Sequence, residues 1–195
     1  MGMSSYFEVV PDQLNDAIAR DPKLACVIEC LWGVGTGMFT WFQELPDSEV
    51  ESISQGCSKI VSEDIARLRR LFAELPHVPN AYIEKTHDLH QAMLSSAFSR
   101  LGASTSDELA DLAVFGNGNW PQAPAIAQVT HTQCKQLASL LARVDARSVV
   151  DAFDLNGRTP EDTWRADLTT ELEAMIDCYI HAGDNGRYVI TATTG

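Results

Sequence analysis

The spacing of apolar residues changes several times along the chain, and each change marks an element. Over residues 5–10, Tyr6, Glu8 and Val10 alternate with Phe7 and Val9, the two-residue period of a strand. Pro11 then opens a helix to about residue 19. Asp21-Pro22 repeats the signal, an acid at the cap and a proline at the first helical position, for a helix to about residue 32. Residues 43–84 read as helical and polar, with Asp47 and Ser62 as caps. Ile65, Leu68, Leu71, Phe72 and Leu75 form one stripe there, ended by Pro76 and Pro79. A helix over 88–101 turns Leu89, Met93, Leu94, Ala97 and Leu101 inward and stops at Gly102. Residues 112–115 read as a short strand broken by Gly116-Asn117-Gly118-Asn119, and 125–129 as another. Thr130 and Gln133 make a capping box for a helix whose stripe is Cys134, Leu137, Ala138, Leu141 and Val144. A shorter helix is expected over 146–153.

The closing unit has the longest period. Thr159-Pro160-Glu161-Asp162 starts a helix over 160–182, along which Trp164, Leu168, Leu172, Met175 and Tyr179 recur at spacings of four and three. Gly183-Asp184-Asn185-Gly186 then turns the chain into a strand over 187–194. Few strands among many helices predict an α+β fold. It is read as a single domain over residues 1–195, with many helices packed around a small mixed sheet that holds the N-terminal and C-terminal strands.

Charge narrows the partners. The formal net charge is −13, which repels phosphate backbones and anionic lipid and attracts basic proteins, so neither nucleic acid nor membrane is expected as a partner. The apolar run over 24–42 is interrupted by Glu29, three glycines and two threonines, and reads as a buried helix followed by a glycine-rich loop. The first residues, Met-Gly-Met-Ser-Ser-Tyr, lack the basic start and apolar stretch of a signal peptide, and Tyr6 breaks the myristoylation pattern. Five cysteines (Cys26, Cys30, Cys57, Cys134 and Cys178) match no disulfide framework and read as reduced, mostly buried thiols in a cytoplasmic protein.

Four groups of residues carry candidate chemistry. His87 and His90, then His131 and Cys134, stand three apart at two helix starts. Were those starts adjacent, the four would offer nitrogen and sulfur donors to zinc, although the spacing matches no zinc signature. The plainer reading is surface or capping histidines and a core cysteine. Gly33-Val34-Gly35-Thr36-Gly37 follows a helix rather than a strand, which suits a helix-ending loop better than phosphate binding, and no cofactor is expected. Trp32, Phe39, Trp41 and Phe42 cluster around that loop, either as core or as a patch through which the chain would form a homodimer. Residues 145–195 hold ten acids against four arginines. On the closing helix Asp167/Glu171 and Glu173/Asp177 place like charges four apart, each pair unfavourable by about 0.2–0.5 kcal/mol. That placement is not optimal for the helix, and predicts a face that meets a basic partner.

Three blocks resemble the YfbM-like bacterial proteins, a family of unknown function. One is Met1-Gly2-Met3 with Tyr6 at the head of a strand. A second is His87-Asp88-Leu89-His90-Gln91-Ala92, similar to that family's Asp-x-Asp-Lys-Ala-Trp-His helix, followed by Leu112-Ala113-Val114-Phe115-Gly116. The third is Pro124-Ala125, Val129-Thr130, Phe153-Asp154, Trp164 and the closing helix-turn-strand. The resemblance implies a compact α+β fold and a bacterial cytoplasmic setting, with residues 24–84 as a divergent helical elaboration. His90, Gln91, Met93 and Leu94 stand where the family has Asp, Lys, Trp and His, so a site built from those residues in relatives would be largely lost here. No activity comes with the resemblance. The chain therefore reads as a non-enzymatic acidic protein-binding module, in its concrete form an immunity or inhibitor protein for a basic effector. The alternative is a small-molecule or metal-dependent enzyme that uses the His/Cys cluster.

Overall fold

The computed structural model describes residues 4–33, 46–56, 62–84, 86–120, 123–153 and 162–194. Strand β1 (Ser4–Val9) leads into α1 (Asp12–Arg20) and α2 (Lys23–Gly33), followed by α3 (Asp47–Gly56), α4 (Ser62–Glu74) and β2 (Asn80–Glu84). Next come α5 (His87–Arg100), α6 (Ser106–Phe115), β3 (Gly118–Trp120) and β4 (Ala123–Val129). The chain closes with α7 (His131–Leu141), α8 (Ala146–Ala152), α9 (Asp162–Asp184) and β5 (Val189–Thr194). The strands form one sheet in the order β2-β1-β5-β4-β3. Every pairing among the described residues is antiparallel, a narrower arrangement than the mixed sheet read from the sequence. The first and last strands pair at its centre, with Ser4 opposite Thr194 and Val9 opposite Val189.

Alternation along these strands builds a core on each face of the sheet. Phe7, Val9, Ala81, Ile83 and Val189 point to one side and pack with α5 to α9. Ile126, Ile190, Ala192 and Trp120 point to the other and meet Leu14 and Ile18 of α1, Leu24 and Ile28 of α2, and Ile65, Leu68 and Phe72 of α4. This is the α+β domain implied by many helices and few strands, with both terminal strands in the sheet.

Local signals explain most boundaries. Thr130 caps α7 by accepting from the Gln133 amide at 3.4 Å, while the Gln133 carboxamide oxygen accepts from the Thr130 amide at 2.9 Å. Gly102, at φ +83°, ends α5. Three expectations are corrected. Residues 112–115 are the last turn of α6, not a strand: Leu109, Ala110, Leu112, Ala113 and Val114 are all buried, and a short run buried on most sides has no period that separates strand from helix. Residues 80–84, expected in a helical stretch, form β2, where Ala81 and Ile83 alternate inward. Residues 118–120, expected in a break, form β3 against β4 with an irregular register after Asn119. The glycine loop, the aromatics Phe39, Trp41 and Phe42, the side chains of Trp32 and Cys30, Cys57, and the start signal at 159–161 lie outside the described residues. Among the described residues no helix is long and apolar enough to cross a membrane.

Candidate functional site

Strand β2 is an edge of the sheet, and α9 runs beside it. Between β2, the start of α5 and the first turns of α9 lies an open cleft of about 580 Å³. Tyr82, Glu84, Thr86, Trp164, Asp167 and Glu171 line it, with Leu168 and Thr170. Alternation places Tyr82 and Glu84 on the same side of β2. The Tyr82 ring lies 4.9 Å from that of Tyr6, and its hydroxyl donates to Ser4 Oγ at 3.2 Å.

Glu171 joins three elements at the cleft floor. Its Oε1 accepts from the Glu84 amide at 3.0 Å, and its Oε2 accepts from the Thr86 hydroxyl at 2.7 Å. Thr86 precedes α5 but makes no side-chain cap bond there, because its hydroxyl is turned to Glu171. Beneath them lies His90, fully buried. Its Nδ1 is 2.9 Å from the Thr86 carbonyl, which only accepts, so Nδ1 carries the proton. Its Nε2 lies 3.5 Å from Glu171 Oε2 and has no hydrogen-bond partner. Burial lowers the pKa of His90 below 6.5, outweighing the opposing pull of the Thr86 carbonyl, Glu171 and the Leu168 backbone. Burial thus favours the uncharged ring, while the Glu171 carboxylate 3.5 Å from Nε2 favours the charged one.

The other candidate residues separate. His87 is buried beside the cleft floor, its ring edge-on to Phe115 at 5.6 Å and its Nε2 3.3 Å from Asp88. Neither it nor His90 is the surface or capping histidine of the plainer reading. His131 is exposed at the start of α7, with Nε2 3.2 Å from the Thr132 hydroxyl. Cys134 is buried one turn on, its thiol 3.4 Å from the Val129 carbonyl. Burial pushes that thiol up to about 11, so it stays protonated at neutral pH and supplies no thiolate. Among the described residues, no group of three or more His, Cys, Asp and Glu is placed to hold a metal ion.

The four acids of α9 also divide. Asp167, Glu173 and Asp177 are exposed and form no ion pair with a described residue, whereas Glu171 is turned inward with its side chain 17% exposed. Helical geometry explains the split. Leu168, Leu172, Met175 and Tyr179 are buried on the inner face, and Glu171 lies on its shoulder. Trp164, expected at the head of that stripe, departs from it. It is 37% exposed, the only large hydrophobic side chain on the surface among the described residues. The four-and-three spacing carries on to Trp164, but its indole stands at the cleft. Tyr82 and Thr86 escaped sequence reasoning because β2 itself did. The alternation Ala81, Ile83 was the available signal.

Comparison with known proteins finds no matching family model, no matching curated relative and no matching solved structure.

Proposed function

We propose that this protein is an acidic, non-catalytic protein-binding module that meets a basic partner along the outer side of α9, in its concrete form an immunity or inhibitor protein that masks a basic effector. The observation that carries the reading is the trio Asp167, Glu173 and Asp177, exposed on one helix without a neutralising neighbour among the described residues. Nearby bases do not serve them. Arg147 and Arg165 both turn to Asp151, at 3.9 and 3.3 Å. The chain as a whole adds to the same field, with a formal net charge of −13 that includes these acids. Long-range attraction of this kind speeds encounter and suppresses wrong partners. The reading includes a cytoplasmic setting, supported by the reduced thiols of Cys26, which is exposed, and of Cys134 and Cys178, which are buried. It also includes membership of the YfbM-like group, which rests on the sequence blocks alone.

The test is a pull-down from the source cells at low salt with the protein and with an Asp167→Lys, Glu173→Lys, Asp177→Lys variant. Glu171 is left alone because it holds the fold. A basic protein recovered by the first and lost by the second supports the reading. Identical recovery by both would remove it.

A further inference from the structure

The cleft beside Trp164, which Asp167 also lines, has features that Glu173 and Asp177 farther along the helix do not explain. It is a concavity within the usual ligand-pocket size range, about 580 Å³, and none of its described lining residues is basic. It sets an exposed indole beside the carboxylates of Asp167 and Glu171. From beneath, the fully buried His90 aims an Nε2 without a hydrogen-bond partner at Glu171. Among the described residues no lysine or arginine pairs with Glu171, whose neighbours are the Glu84 amide, the Thr86 hydroxyl and the His90 ring.

We infer that this cleft is a subsite for one arginine side chain on the surface of the basic partner, its guanidinium stacked on Trp164 and hydrogen-bonded to the carboxylates at the rim and floor. The inference rests on the partner-binding reading above and gives it a specific contact. A guanidinium fits better than an ammonium here. It is planar, so it stacks on an indole, and it donates paired N–H groups to carboxylates while keeping its charge. The surrounding acids supply attraction at a distance, and the cleft supplies a place where a cation meets an aromatic face.

The test uses N-acetyl-arginine amide as probe, with the lysine and citrulline counterparts, at matched ionic strength. The readout is the indole N–H resonance of Trp164, identified among the four tryptophans by its disappearance in Trp164→Phe. The expected result is a saturable shift with arginine, binding tighter than lysine by about threefold or more, and no shift with citrulline, which keeps the shape and lacks the charge. Asp167→Asn should weaken arginine by a similar factor, and the buried Trp120 resonance should not move. Equal response to citrulline, lysine as tight as arginine, or an unchanged shift in Asp167→Asn would overturn the subsite. The two readings fail separately. Arginine binding with no partner recovered at low salt keeps the cleft and removes the partner. A partner retained undiminished by Trp164→Ala removes the cleft and keeps the outer face of α9.

Discussion

At Glu171 a single carboxylate ties the end of β2, the residue before α5 and the middle of α9 to one point. Glu171→Ala would leave the Glu84 amide and the Thr86 hydroxyl without their acceptor, and is expected to destabilise the fold by about 2 kcal/mol, measured by denaturant unfolding. Beneath it His90 makes stability depend on pH. Its pKa is lowered in the fold, so between the folded value and the unfolded value of 6.5 the unfolded chain binds a proton that the folded chain refuses. Stability should fall as pH drops below about 6.5, by up to about 1.4 kcal/mol per pH unit for this one group. The decline should level off once the folded ring also protonates. Unfolding curves of the protein and of His90→Gln should diverge in that window. Parallel curves would show that His90 does not control it. His87 and Glu171 face the same ring and their charge enters the same titration. None of this was legible in the sequence, where His90 reads as a candidate zinc donor or a surface or capping histidine; its burial depends on the packing of neighbouring elements around it.

Helix α9 shows how much an element's own pattern can tell and where it stops. Leu168, Leu172, Met175 and Tyr179 lie inward as their spacing predicts, and the Tyr179 hydroxyl donates to the Ala113 carbonyl at 2.7 Å. Trp164 obeys the same spacing and stays outside, because periodicity describes one helix and not the length of what covers it. The capping box of α7 was legible because its partners lie three residues apart. Strands β2 and β3 were not, because their evidence is the neighbour they pair with. The crossing of α9 over α7 is similarly invisible in sequence. A Cβ on Gly183 would sit 2.7 Å from the Ala138 Cβ and 3.1 Å from the Cys134 carbonyl oxygen. Alanine ordinarily gains about 1 kcal/mol over glycine within a helix. Here Gly183→Ala should instead destabilise by about 1–3 kcal/mol through overpacking, seen as a lower melting temperature. Ala138→Gly in the same chain should restore part of the loss, since it removes the nearest of those atoms.

On the scale of the whole molecule, charge and fold divide the surface by role. Both cores close on the sheet without the outer acids of α9, so reversing Asp167, Glu173 and Asp177 should leave the melting temperature nearly unchanged. The same change should slow capture of a basic partner by about tenfold or more at low salt, and the difference should shrink as salt is added, as stopped-flow association would report. The α+β class was legible from the balance of periods along the chain. The antiparallel order was not, since strand order is set by pairings between distant segments. The central pairing of β1 with β5 has a further consequence, for synthesis. Ser5 and Thr193, whose hydroxyls meet across that pair, are 188 residues apart. On the ribosome β1 emerges well before β5 and must wait for that neighbour until the intervening chain has been made. Until then β1 has an open edge toward β5 that can template pairing with another chain, which leaves the nascent protein more exposed to aggregation than the finished one.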